Sequence, residues 1–136
     1  MNVGIIIIDH GSRTEESNRM LLEVAERFRR RFGAAFEIVE PAHMELTEPT
    51  LAQAYVRCVH RGATEIVVCP FFLGMGKHMQ ADIPRLASEA AKEFPQTRVR
   101  VAPPLGVDDL ILDLLAKRAG QSLNLEGFPL PTALSI

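Results

Sequence analysis

Three side chains in this sequence could handle a metal ion or a proton, and each follows a strand-like stretch. His10 comes after the aliphatic run Ile5-Ile6-Ile7-Ile8, in the block Asp9-His10-Gly11-Ser12-Arg13. His78 comes after Glu65-Ile66-Val67-Val68-Cys69, across an apolar loop, and just ahead of a helical pattern that starts at Asp82. Glu45 stands in the polar segment 40–49, behind a shorter strand-like stretch at 36–39. Imidazole is the commonest side-chain metal ligand and can accept a proton at neutral pH. Two imidazoles with a carboxylate make a donor set suited to first-row divalent metals.

Each of these residues also has a plainer role open to it. His10 could hydrogen-bond its own turn, His78 could be a solvated histidine near a helix start, and Glu45 could be an exposed loop acid. His43, two residues before Glu45, competes with it for the same place. Glu40 and Glu48 read as structural, and His60 as a surface residue.

The loop ahead of His78 is Phe71-Phe72-Leu73-Gly74-Met75-Gly76-Lys77. Gly74 and Gly76 take side chains out of the way, so backbone could approach a flat ligand. Phe71, Phe72, Leu73 and Met75 offer that ligand apolar contact. Arg13, Lys77 and Arg85 could meet its anionic groups, and Ser12 with the first turn of the helix after it adds donors. Dinucleotide, nucleoside-triphosphate and serine-hydrolase functions lack their motifs, since no G-x-G-x-x-G, P-loop or G-x-S-x-G is present.

The elements that must position these residues alternate regularly. Residues 3–8 read as a central parallel strand buried on both faces. Met20, Val24, Phe28 and Phe32 then recur at i+4, with Leu21 and Ala25 beside them, as an amphipathic helix that ends at Gly33. A strand at 36–39, a loop at 40–49 and a helix opened by Pro49 follow, with Thr47 or Glu48 near the cap. Leu51, Ala52, Tyr55, Val56 and Val59 are the stripe of that helix. A strand at 66–69, a helix marked by Ile83, Leu86, Ala87, Ala90 and Phe94, a strand at 99–102 and a last helix led by Asp108 and Asp109 complete the order. Four strand–helix alternations predict an α/β fold, an open parallel four-stranded sheet with helices on both faces. Right-handed crossovers make the flavodoxin-like order 2-1-3-4 the simplest. His10 and His78 then leave neighbouring strands at the carboxyl edge, where open α/β sheets bind ligands. The domain is expected over 1–119, with 120–136 as a tail.

With 136 residues, 47% hydrophobic and 24% charged, the chain has the size and composition of one globular domain. A net charge of −2, one Tyr and no Trp give nucleic-acid binding little support. Arg27, Arg29, Arg30 and Arg31 cluster at a helix end, where cations suit the dipole. Cys58 and Cys69 form no C-x-x-C pair and sit in apolar patterns, as buried reduced thiols would. The apolar run at 3–8 is too short to span a membrane or act as a signal core, so a cytoplasmic protein with no membrane partner is expected.

Three blocks resemble the short sirohydrochlorin chelatases, the class II tetrapyrrole chelatases of the CbiX/SirB type. They are Asp9-His10-Gly11-Ser12-Arg13, the segment Glu40-Pro41-Ala42-His43-Met44-Glu45-Leu46-Thr47-Glu48-Pro49, and residues 70–84. The likeness runs over about residues 2–118. It implies insertion of Co²⁺ or Fe²⁺ into sirohydrochlorin, for cobalamin or siroheme synthesis, with nickel also conceivable. It implies that His10 and His78 handle the metal, that Glu45 is the active-site acid, and that a half-length chain works as a homodimer. Some plant-type members carry a cysteine-rich C-terminal segment for an iron–sulfur cluster. Residues after Arg118 contain no cysteine, so no cluster is expected. Two other classes compete: a metal or tetrapyrrole carrier without catalysis on the same fold, and a flavodoxin-like interaction domain whose histidines are structural.

Overall fold

The computed structural model describes residues 2–124. The elements run β1 (Val3–Asp9), α1 (Glu15–Phe32), β2 (Ile38–His43), α2 (Leu51–His60), β3 (Glu65–Pro70), α3 (Lys77–Lys92), β4 (Arg98–Val101) and α4 (Asp109–Ser122). The four strands pair in parallel in the order β2-β1-β3-β4, as expected. The chain divides into two compact units after Pro104. The sheet and α1–α3 belong to the first unit. α4 belongs to the second, where the Asp108 carboxylate caps it by accepting from the Leu110 N–H at 2.9 Å. Residues 125–136, most of the expected tail, lie outside the described residues.

β1 is buried from Gly4 to Ile8, as a strand covered on both faces must be. Because side chains alternate along a strand, Ile5 and Ile7 pack with Leu21, Ala25 and Val39 under α1. Ile6 and Ile8 pack with Tyr55, Cys58 and Ile83 under α2 and α3. Each fully buried Ile contributes roughly 1.5–3 kcal/mol by leaving water. The one hydroxyl in that second cluster is satisfied. Tyr55 donates to Thr97 Oγ1 at 2.6 Å, and Thr97 donates in turn to the Phe94 carbonyl at 2.7 Å.

Details of α1, β2 and α2 differ from the sequence expectations. The buried stripe of α1 is Leu21 and Ala25 with Val24 and Phe28, while Met20 and Phe32 are exposed. A strict i+4 row advances about 40° around the helix per step, so its two ends rotate off the sheet. β2 runs on to His43 instead of ending at Val39. Pro41 is tolerated within it because β2 is an edge strand that needs N–H donors on one side only. α2 starts at Leu51, not at Pro49, under a capping box in which Thr50 accepts from Gln53 N and Gln53 returns a bond to Thr50 N.

Candidate functional site

The order β2-β1-β3 puts three loops side by side at the carboxyl edge: 10–14 after β1, 44–49 after β2 and 71–76 after β3. Backbone bonds carry the strand pairing past the strand ends into these loops. The Met44 N–H donates to the Asp9 carbonyl at 2.9 Å, and the Glu45 N–H to the His10 carbonyl at 3.1 Å. On the other flank the Phe71 N–H donates to the Ile8 carbonyl at 2.7 Å.

These bonds bring His10 into register with both neighbours. Its ring is exposed and meets Phe72 edge-on, with centroids 4.6 Å apart and an interplanar angle of 69°. Gly11 follows at φ +87°, and a Cβ there would lie 1.9 Å from the Glu45 carbonyl oxygen. No residue with a side chain fits that crossing. Glu45 therefore sits with its backbone against the His10 turn and its side chain exposed.

His78 lies in the first turn of α3, which starts at Lys77, five residues earlier than the expected start at Asp82. Pro84 is inside this helix, so the Gln80 carbonyl loses one intrahelical donor while the helix continues. His78 is exposed, and the turn before it is tied by Gln80, whose amide Nε2 donates to the Met75 carbonyl at 3.1 Å. His10 and His78 thus leave neighbouring strands at one edge. Among the described residues, however, no three His, Cys, Asp or Glu side chains gather into a group that could hold an ion.

The remaining candidates separate by what already engages them. Ser12 is in use locally: its hydroxyl accepts from Thr14 N at 3.0 Å, and its backbone is clasped by Asn18, with Ser12 N donating to Oδ1 at 2.9 Å and Nδ2 donating to Ser12 O at 2.8 Å. Arg13 and Lys77 are exposed and have no ion-pair partner among the described residues. Arg85 is taken up by Glu89 and Asp82 on its own helix, and the hydrogen bonds it donates to those two carboxylates raise its pKa. Leu73 is exposed, Phe72 and Met75 are half-buried, and a Cβ added at Gly74 or Gly76 would meet nothing within 4 Å. Glu40 pairs with Arg29 at 3.8 Å and Glu48 accepts from the Gln53 amide, so both are structurally engaged. His60 is exposed at the far end of α2.

The pair missed from the sequence is Asp9 with His43. His43 is 1% exposed, and its Nδ1 lies 2.6 Å from Asp9 Oδ1. That same oxygen accepts the Gly11 N–H at 3.0 Å. The two residues face each other in the β1–β2 register, which becomes visible only once β2 is known to reach His43. An open groove of about 380 Å³ adjoins this pair, lined by Ser12, Arg13, Asn18, His43 and Thr47 among others.

The thiols are not part of this edge chemistry. Burial, helped by the negative charge of Glu40, pushes Cys58 up to about 12, and burial also raises Cys69. Both are free cysteines held in the unreactive thiol form.

The CbiX family model matches residues 4–122. A relative from Arabidopsis thaliana, named sirohydrochlorin ferrochelatase, chloroplastic, is 48% identical over 121 residues, covering 89% of this chain and 53% of the relative. A sirohydrochlorin cobaltochelatase from Sulfolobus acidocaldarius is 32% identical over 125 residues, covering 92% of this chain and 96% of the relative. A crystal structure of the sirohydrochlorin chelatase SirB from Bacillus subtilis subspecies spizizenii in complex with cobalt superposes with a TM-score of 0.81 at 28% identity. It covers 89% of this chain and 51% of that one. The chain thus spans about half the length of the plant relative and of SirB, and nearly the full length of the archaeal one.

Proposed function

The chain belongs to the CbiX family, and we propose that it is a chelatase that inserts Co²⁺ or Fe²⁺ into sirohydrochlorin. The observation that carries this is the placement of His10 and His78 behind neighbouring strands, one on the loop after β1 and one in the first turn of α3, with the Phe72 ring against His10. Imidazole serves both halves of the reaction. Metallation replaces two pyrrole N–H protons by one divalent ion, so the site must hold a cation and take up two protons. His10 and His78 bind the incoming metal, and imidazole receives the protons as the metal passes to the macrocycle. Glu45 assists as a ligand or as a relay that passes protons to water. The metal here is a substrate, and imidazole with carboxylate accepts either ion. The ferrochelatase and cobaltochelatase names among the relatives match that breadth.

The macrocycle lies against Phe72, Leu73 and Met75, with backbone at Gly74 and Gly76 close to its plane. Arg13 and Lys77, the cations without ion-pair partners at this edge, receive its peripheral carboxylates together with the turn at Ser12. A second copy of the chain supplies the opposite wall. Two facts support a homodimer: the chain matches half of SirB, and within one copy no third donor joins the histidines among the described residues. No described helix is long and apolar enough to cross a membrane, and two free thiols suit the reducing cytoplasm where we place the protein.

The test is anaerobic absorbance of sirohydrochlorin with Co²⁺ or Fe²⁺ and substoichiometric protein. Metallation over many turnovers, faster than a protein-free control, is expected. A spectral change that stops at one ligand per site would make the protein a carrier, and an unchanged rate with either metal would return both histidines to structural roles. Sedimentation of the same sample should give a mass of two chains.

A further inference from the structure

We propose that Asp9 and His43 act as a positioning pair that sets His10 against Glu45. This rests on the chelatase reading for what His10 and Glu45 do, and it assigns a task to two residues to which that reading gives no contact with metal or substrate. His43 is the one buried polar residue among the described residues. A polar group so placed needs a partner, and a strained or missing one is costly. Its partner is the residue directly before His10, at 2.6 Å.

The bonds around the pair fix two loops at once. Asp9 Oδ1 holds both His43 Nδ1 and the Gly11 N–H, so it grips the chain on either side of His10. The backbone N–H of His43 donates to the Pro49 carbonyl at 2.8 Å, which closes the loop carrying Glu45. Between these anchors, Met44 and Glu45 donate to the Asp9 and His10 carbonyls. Among the described residues the imidazole–carboxylate contact is the side-chain link between the two loops. An apolar pair of equal volume could keep the core filled, but Asp9 would then lose its hold on the loop of Glu45. Catalytic groups displaced by about 1 Å can lose on the order of 100-fold in rate.

Three variants separate positioning from packing. His43→Phe keeps the volume without a donor, His43→Ala removes both, and His43→Asn restores an amide N–H near the place of Nδ1. The expected result is a fall in kcat for metal insertion of about 10- to 100-fold in His43→Phe and His43→Ala, as for other outer-shell partners. KM for sirohydrochlorin should hold within about 3-fold, because ground-state binding is not what the pair controls. His43→Asn should regain most of the rate. Rates are taken per folded molecule, with the folded fraction read from urea unfolding, so a variant that fails to fold leaves the other two to decide. If activity follows volume, with Phe best and Ala worst, or if folded His43→Phe keeps the full kcat, the inference falls and the chelatase reading stands. If the wild-type protein inserts no metal, the chelatase reading falls, and imidazole ¹⁵N–¹H spectra decide the rest. His10 signals that move in His43→Phe but not in His60→Ala would uphold the positioning, and unmoved signals would overturn it.

Discussion

The two histidines at the carboxyl edge are held in opposite ways. His10 leaves a strand buried from Gly4 to Ile8, and its backbone is pinned at once while its ring stays exposed. Its neighbours Asp9 and Gly11 share a carboxylate with His43, its own carbonyl takes the Glu45 N–H, and Gly11 is in contact with the Glu45 backbone. His78 stands at the end of a six-residue loop with two glycines that face open space, tied mainly by Phe71 N to Ile8 O and Gln80 Nε2 to Met75 O. The same ligand chemistry is thus mounted once on a pinned frame and once on an open arm. In the proposed chelatase a fixed donor would give the metal a defined place, and a donor behind an open loop would leave room for a flat macrocycle to enter beside it.

The largest effect should come from breaking the pinned half. Gly11→Ala sets a Cβ 1.9 Å from a carbonyl oxygen at a φ of +87°, where a side chain alone costs roughly 1–2 kcal/mol. With the clash added, urea unfolding should show a loss of about 3 kcal/mol or more. A loss under about 1 kcal/mol would mean the loops of His10 and Glu45 are not locked together. Next in size is the loss of the histidines themselves. His10→Ala and His78→Ala should each slow metal insertion by about 100-fold or more. If they act as a unit, the double variant should be little worse than either single one. Additive losses would show that the pinned and open donors work in separate steps.

How much of this was legible in the sequence follows from where burial writes a pattern. β1 is aliphatic because both faces are covered and β3 because one face is buried and the other half-buried, so their positions and those of the loops behind them can be read directly. The strand order followed from crossover handedness. The first turn of α3 left no such mark: Lys77, His78, Gln80 and Ala81 are all exposed, so the apolar stripe begins only at Ile83. Glu40-Pro41 reads as a strand end, and only the edge position of β2 makes the proline acceptable within it. The Asp9–His43 contact depends on that longer β2, on cross-strand register and on no local motif. The places of candidate residues behind buried strands can therefore be read from the sequence, and the bonds that orient them cannot.

A smaller effect tests whether the frame under His10 draws on the core. Gly4 of β1 packs on Cys58, with a Cβ at Gly4 placed 3.1 Å from Sγ. The folded-state pKa of Cys58 is about 12, against an ordinary 9.0. Because it is raised, its stabilisation is complete below pH 9 and is lost as pH climbs toward 12, where the unfolded chain releases a proton that the folded chain keeps. Tyr55, raised by burial, acts in the same direction at higher pH. At about 1.4 kcal/mol per pH unit, urea unfolding at pH 10.5 should show a stability roughly 2 kcal/mol below that at pH 8.5. The drop should shrink in Cys58→Ala, and an equal drop there would remove Cys58 from the account.

The smallest effect belongs to the open arm, and it sets the contrast most directly against Gly11. Gly76 caps α3 at φ −69° and ψ 170°, a conformation that alanine adopts freely, and a Cβ there meets nothing within 4 Å. Gly76→Ala therefore costs the folded state no clash and narrows the unfolded ensemble, which should stabilise the protein by about 0.4–1 kcal/mol. The same methyl group would stand where backbone is proposed to approach the macrocycle, so KM for sirohydrochlorin should rise even as the melting temperature does. A loss of stability would mean that this loop is packed as tightly as the one at Gly11, and the two histidines would no longer differ in how they are held. A gain in stability with an unchanged KM would keep the open arm but move the macrocycle away from Gly76.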